Sequence, residues 1–266
     1  MERRFYALRL CYDGARFRGY QRQPGLPTVQ DALAQALAAL GVRAPLQAAA
    51  RTDAGVHAID QVVGFSARAA LDPDGLRRAL NAALPDGLLV LEARRVAPPF
   101  HARGSALSRT YVYLVGTPPP EPTLPYAWAL PDGRAFPGLS DPRLDPEAMR
   151  AALALAVGEH DFAGFARPGD RRGTVRVLLR AEMMSAAWAP LHAVVLEGQG
   201  FLRAMARNLV GTAVTAGLGL APPSVVRDLL GARGHYRGVR APGWGLTLAA
   251  VRYPPGLLDD RERPAP

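Results

Sequence analysis

The chain has 266 residues, 49% of them hydrophobic, with 32 basic residues against 23 acidic ones and a formal charge of +9. That apolar content excludes a chain dominated by disorder, and the length allows one large domain or two modest ones. A single cysteine, Cys11, excludes an intrachain disulfide and cysteine-rich metal sites.

Residues 4–12 are predicted as a first strand, with Phe5, Ala7 and Arg9 on one face alternating against Tyr6, Leu8 and Leu10 on the other. The loop from Asp13 to Gln23 interleaves Arg16, Arg18 and Arg22 with Phe17, Tyr20 and two glutamines, a mix that holds phosphates and stacks bases. Thr28 caps a predicted helix, with Asp31 placed for a capping box, Val29, Leu33, Ala36, Leu37 and Leu40 as its buried stripe, and Gly41 as its stop. The stretch Gln61–Phe65 reads as a strand. A second helix starts at Asp72 with Pro73 in its first turn and Leu76, Leu80 and Leu84 on one face. Residues 88–96 form the next predicted strand.

In the second half, residues 105–115 read as a strand with Tyr111, Tyr113 and Val115 on one face. Residues 116–142, rich in Pro and Gly, lack periodicity and are predicted as a long loop. A third helix is expected from Asp145 to Gly158, and a basic loop over 167–176. Strands are expected over 175–184 and 191–197, helices over 201–217 and 222–230, and a last strand over 246–253. The fold class that follows is α+β: two halves, each a mainly antiparallel sheet backed by helices. The expected boundaries are an N-terminal domain over 1–103, a C-terminal domain over 104–253 and a polar tail over 254–266.

All the basic residues are arginines, whose planar fork grips phosphate and stacks on bases. The net charge favours a polyanionic partner, although a G+C-rich genome would also account for the lack of lysine. No apolar run is long enough to span a membrane and no secretory signal is read at the start, so a cytoplasmic protein is expected.

The segment Arg51-Thr52-Asp53-Ala54-Gly55-Val56-His57 packs a cation, a hydroxyl, a carboxylate and a glycine between apolar runs. The same residues suit an ordinary turn. If Asp53 is half buried, its charge needs a partner. The helix predicted over 201–217 is apolar nearly all round, yet carries Arg207 in line with Arg203, Val210 and Val214. Its guanidinium either finds an anion (a core carboxylate, a phosphate or Asp53) or snorkels to water. No Walker-type loop and no Gly-x-Ser-x-Gly elbow occurs, and His57 and His101 lack metal-ligand spacing, so no metal or cofactor is expected. Asp53 and Asp60 are a glycosidase pair only if they lie on facing elements.

Six segments in register resemble the TruA-type tRNA pseudouridine synthases over most of the chain. They are Tyr12-Asp13-Gly14 with Phe17-Arg18-Gly19-Tyr20-Gln21-Arg22-Gln23 and Thr28-Val29-Gln30; Arg51 to His57, the most specific; Phe100-His101-Ala102-Arg103; Arg109-Thr110-Tyr111-Val112-Tyr113; Met205 to Gly211; and Ala241 to Leu246. Ala206 stands where the family favours a larger aliphatic, and Thr110 where arginine is common.

The resemblance implies an isomerase that converts uridine to pseudouridine at positions 38, 39 and 40 of the tRNA anticodon arm. It implies a homodimer of two-domain subunits with RRM- or ferredoxin-like halves and a cleft between them. Asp53 falls on the catalytic aspartate, Arg207 on the arginine that pairs with it, Tyr111 on the tyrosine packed against the target base, and Arg51 on an arginine that helps to displace the base. The reaction breaks N1–C1′ and joins C5 to C1′ with no net redox change. Asp53 can attack C1′, add to C6 or deprotonate the sugar, and must be ionised for each. Phosphate contacts are expected from Arg16, Arg18, Arg22 and the 167–176 loop. The rival readings are a non-catalytic RNA-binding protein with paired RRM-like sheets and a glycosylase that releases free base.

Overall fold

A computed structural model of the chain describes residues 3–166, 173–232, 236 and 238–258. It is a mixed α+β structure of mainly antiparallel strands and helices, in two compact units: Met1–Arg109 with Leu248–Pro266, and Thr110–Thr247.

The first unit is built on β1 (Arg4–Tyr12), which lies antiparallel between β3 (His57–Ala67) and β4 (Leu88–Val96). On the side of β3 away from β1 lie the short β2 (Gln47–Ala48) and β10 (Leu246–Arg252). The bounds of β1 and β4 are those the alternation predicts. Register sets Leu10 opposite Gln61 and Tyr12 opposite Ala58.

Two helices back this sheet. α1 (Val29–Ala39) starts where Thr28 accepts the Asp31 N–H, and α2 (Pro73–Ala83) where Asp72 accepts the Gly75 N–H. Such caps satisfy amide groups that no helical carbonyl can reach, each contributing about 1 kcal/mol. The Asp31 side chain departs from a capping box: it accepts from the Thr28 hydroxyl at 2.9 Å and from Arg22, not from the cap's own backbone. Val29, Leu33, Ala36 and Leu37 are buried as predicted, but Leu40 is exposed, because the chain leaves the helix at that residue and turns at Gly41 with φ 76°.

A buried ion pair locks the unit: Arg9 on β1 donates to Asp60 on β3 at 2.7 Å, and the other Asp60 oxygen accepts the Val251 N–H of β10 at 3.2 Å. Asp60 is thus a structural carboxylate, held in a cluster in which Arg9 also lies 3.6 Å from Glu92. Beyond β10, the Leu258 side chain is buried and its carbonyl accepts from Arg94, so the start of the predicted polar tail is packed structure.

The second unit carries β5 (Ser108–Gly116), β9 (Leu191–Gly198), β8 (Val175–Ser185) and β7 (Gly158–Asp161), adjacent in that order, with β6 (Ala127–Ala129) parallel to β5. Tyr111, Tyr113 and Val115 share the buried face of β5 as alternation requires, although the strand starts three residues later than predicted. The predicted loop over 116–142 is more ordered than its composition implies. It contains β6, and Trp128 is buried against Phe136 with ring centroids 5.7 Å apart.

α3 (Pro146–Ala154) starts at an Asp145 cap and ends four residues short of Gly158, which opens β7. A strand of four residues is too short for periodicity to reveal. α4 (Met205–Gly217) also starts four residues late, because Ala204 sits in the left-handed region at φ 64° and breaks the helical run. Arg203 is therefore exposed and not on the helix. α5 (Val225–Leu229) is shorter than its predicted span. Of the expected 167–176 loop, residues 167–172 lie outside the described residues, and Val175 already belongs to β8. Among the described residues no helix is long and apolar enough to cross a membrane.

Candidate functional site

The segment that carries Asp53 leaves the sheet in a controlled way. β2 pairs with β3, and one residue on, the Ala49 N–H still donates to the Val62 carbonyl at 2.8 Å. At Ala50 the chain has drifted beyond backbone reach, and the Gln61 side chain takes over. Its Oε1 accepts the Ala50 N–H at 3.2 Å and its Nε2 donates to the Ala50 carbonyl at 2.8 Å. The buried Arg109 guanidinium holds the preceding carbonyl, of Ala49, with Nε and Nη2 both at 3.2 Å, and also donates to the Ala106 and Arg103 carbonyls.

Beyond Ala50, Arg51 is exposed, Thr52 is buried and Asp53 is half buried. The Thr52 hydroxyl lies 2.8 Å from the Tyr12 hydroxyl, to which Gln61 Nε2 also donates at 3.2 Å. Burial pushes the Tyr12 hydroxyl up to about 12 against the opposing effect of its hydrogen bonds with Thr52 and Gln61, so it stays protonated at any physiological pH. The turn closes with the Val56 N–H donating to the Asp53 carbonyl at 3.2 Å.

The arginine-rich loop packs directly on this turn. The Tyr20 N–H donates to the Thr52 carbonyl at 3.1 Å, and the Gly14 N–H to His57 Nδ1 at 3.1 Å. Two glycines make the approach possible. A Cβ on Gly14 would stand 2.2 Å from the Val56 carbonyl oxygen; one on Gly19, at φ +93°, would stand 3.0 Å from that of Thr52.

The two aromatics expected to stack bases do not face outward. Phe17 and Tyr20 are buried, Phe17 edge-on to Tyr12 with centroids 6.4 Å apart. They anchor the loop, and its arginines are what it presents. Arg16, Arg18 and Arg22 are all exposed, and Arg22 is paired with Asp31. Arg16 and Arg22, with Phe17, Gln23, Thr28 and Asp31, line an open hollow of about 970 Å³.

Arg207 belongs to the second unit and is half buried on the first turn of α4. Its Nε donates to the Ala241 carbonyl at 2.8 Å, while the Ala241 N–H returns a bond to the Arg207 carbonyl at 3.2 Å. That contact depends on Gly211, where a Cβ would stand 1.8 Å from the Val239 oxygen, so the 239–241 strand of chain lies flush on the helix. Asn208, the next residue, is fully buried and fixes the helix rotation, donating to the Phe165 carbonyl at 2.7 Å and accepting from Arg240 at 3.0 Å. In the same unit the buried Tyr111 meets Phe201 edge-on at 5.0 Å between centroids.

A sequence profile of the family described as tRNA pseudouridine synthase matches residues 11–103 and 152–254. The chain belongs to that family. Proteins named tRNA pseudouridine synthase A are similar to it over nearly their whole lengths. That of Methylacidiphilum infernorum is 40% identical over 94% of this chain and 96% of its own. The Thermus thermophilus protein is 41% identical over 93% and 96%, and that of Neisseria gonorrhoeae strain NCCP11945 is 40% identical over 94% and 92%. The family matches include both the segment of Asp53 and that of Arg207. Sequence reasoning did not single out Gln61, Tyr12 and Arg109, whose side chains hold the chain before Asp53. The only visible sign of Gln61 was a polar side chain opening an otherwise apolar run.

Proposed function

We propose that the chain isomerises uridine to pseudouridine at positions 38, 39 and 40 of the tRNA anticodon arm, with Asp53 as its nucleophile. Membership of the family supports the isomerase activity on tRNA. The observation that carries the residue assignment is the setting of Asp53: a half-buried carboxylate at the tip of a turn whose flanking residues are hydrogen-bonded on both sides. A carboxylate so held keeps its orientation without becoming sealed from solvent, as attack on a bound nucleotide requires.

In this reading the target base leaves its stack, which costs a few kcal/mol in a stem. Tyr111 packs against the everted base, and Arg51, exposed beside Asp53, fills the space left behind. Asp53 then acts at C1′ or C6 or on the sugar, N1–C1′ breaks, the base turns and C5 joins C1′. The proton on C5 is released to water, and N1 takes one up. Arg207, oriented by the Ala241 carbonyl, is the cation for the reacting carboxylate. Arg16, Arg18 and Arg22 hold phosphates and so position the RNA without reading its sequence. The working protein is a cytoplasmic homodimer with RRM-like halves.

The test is tRNA tritiated at uridine C5. The wild-type protein should release tritium to water without free uracil. Asp53→Ala should lose more than about 10³-fold in turnover while still binding tRNA. Near-wild-type turnover in that variant would overturn the nucleophile assignment, and free uracil would indicate a glycosylase.

A further inference from the structure

The hydrogen bonds beneath Asp53 form a chain. Both hydrogens of the Gln61 amide are used, one on the Ala50 carbonyl and one on the Tyr12 oxygen. The Tyr12 oxygen therefore accepts from Gln61, and the Tyr12 and Thr52 hydroxyls share a hydrogen bond of 2.8 Å. The links run from Gln61 to Tyr12 to Thr52. Each member lies on a different element: Gln61 on β3, Tyr12 at the end of β1, Thr52 in the turn. Gln61 is fully buried, Tyr12 and Thr52 nearly so. The three touch the chain at Ala50 and Thr52, on either side of Arg51 and immediately before Asp53. A network of this kind adds little net stability over an apolar filling, but it admits one arrangement of the backbone where apolar packing admits several.

We propose that Gln61, Tyr12 and Thr52 are positioning residues of the isomerisation: the chain of hydrogen bonds they form holds the turn in the single conformation that aims the Asp53 carboxylate at the bound nucleotide. The inference rests on Asp53 as the nucleophile. None of the three contacts the substrate in this reading. They act through the backbone of 50–53, and the same backbone is pressed from the other side by Gly14 and Gly19.

A structural role would appear in thermal stability and leave the turnover of folded protein unchanged. A positioning role appears in kcat. The experiment measures kcat, tRNA affinity and Tm for the full-length protein and for Tyr12→Phe, Thr52→Val, Thr52→Ser and the Tyr12→Phe/Thr52→Val double variant, with Asp53→Ala alongside. Tyr12→Phe and Thr52→Val should each lower kcat about 10- to 100-fold, with tRNA affinity within about twofold. The double variant should be no more than about threefold worse than either single, because both break the same link. Thr52→Ser, which keeps the hydroxyl, should recover most of the rate lost in Thr52→Val. Full kcat in folded Tyr12→Phe, or a loss confined to tRNA affinity, overturns the proposal. If Tyr12→Phe does not fold, full kcat in Thr52→Val, which has nearly the shape of threonine, overturns it equally. An inactive Asp53→Ala beside a fully active Tyr12→Phe would sink the positioning role alone, whereas an active Asp53→Ala would sink the nucleophile on which it rests.

Discussion

Replacing Gly14 by alanine tests whether the arginine-rich loop braces the turn that bears Asp53. The new Cβ would stand 2.2 Å from the Val56 oxygen, 2.3 Å from its carbonyl carbon and 2.7 Å from that of Gly55, where ordinary contact begins at 3.4 Å. All three are backbone atoms, so no side chain can swing aside, and loop and turn must part by about 1 Å. Parting also withdraws the Gly14 N–H from His57 Nδ1, now 3.1 Å away. Overpacking costs about 1–3 kcal/mol and the lost buried hydrogen bond about 1 kcal/mol, so stability should fall by about 2–4 kcal/mol. Val56 donates to the Asp53 carbonyl, so the displacement reaches the carboxylate. A shift near 1 Å is worth about 10²-fold in kcat. Denaturant unfolding gives the first number and tritium release the second. Gly133→Ala is the control, since its Cβ meets nothing within 4 Å. A Gly14→Ala protein within about 0.5 kcal/mol and threefold in kcat of wild type would refute the bracing.

Alkali should destabilise the protein above the normal range of tyrosine. Burial pushes the Tyr12, Tyr20 and Tyr113 hydroxyls up, Tyr12 from 10.0 to about 12. The folded state thus resists ionisation that the unfolded chain undergoes freely. The stabilisation is complete below pH 10 and, for Tyr12, declines from there toward pH 12 by up to about 3 kcal/mol. Denaturant midpoints between pH 9 and 11.5 should fall less steeply in Tyr12→Phe; an unchanged slope would contradict the assignment. A phosphate-dominated interface makes tRNA affinity fall steeply with salt. Replacing Arg16, Arg18 and Arg22 together by alanine should flatten the log–log slope by about 2–3, and an unaltered slope would remove those arginines from the interface.

What the sequence made legible was local. The caps at Thr28, Asp72 and Asp145 stand where predicted, because a cap depends on residues within three positions of it. The strands β1 and β4 were legible from alternation alone. β7 was too short to announce itself, and the start of α4 was misplaced because Leu202 prolongs the apolar period through a turn that Ala204 breaks. In the site, the half burial of Asp53 was foreseeable from its apolar flanks. The inward turn of Phe17 and Tyr20 was not, since it depends on contact with residues far along the chain. The Gln61–Tyr12 bond spans 49 positions and leaves no local periodicity to read.

The unit that bears Asp53 is discontinuous. Its sheet is completed by β10, whose Val251 amide supplies a donor to the buried Asp60, and β10 follows the whole of the second unit in the chain. During translation Asp53 therefore emerges on a scaffold that must wait for a strand made after the whole second unit. Until then β3 lacks one of its neighbours, and one oxygen of Asp60 lacks its amide. A nascent chain halted before residue 246 would hold every residue proposed for the chemistry, yet lack the strand that completes the sheet of the unit bearing Asp53.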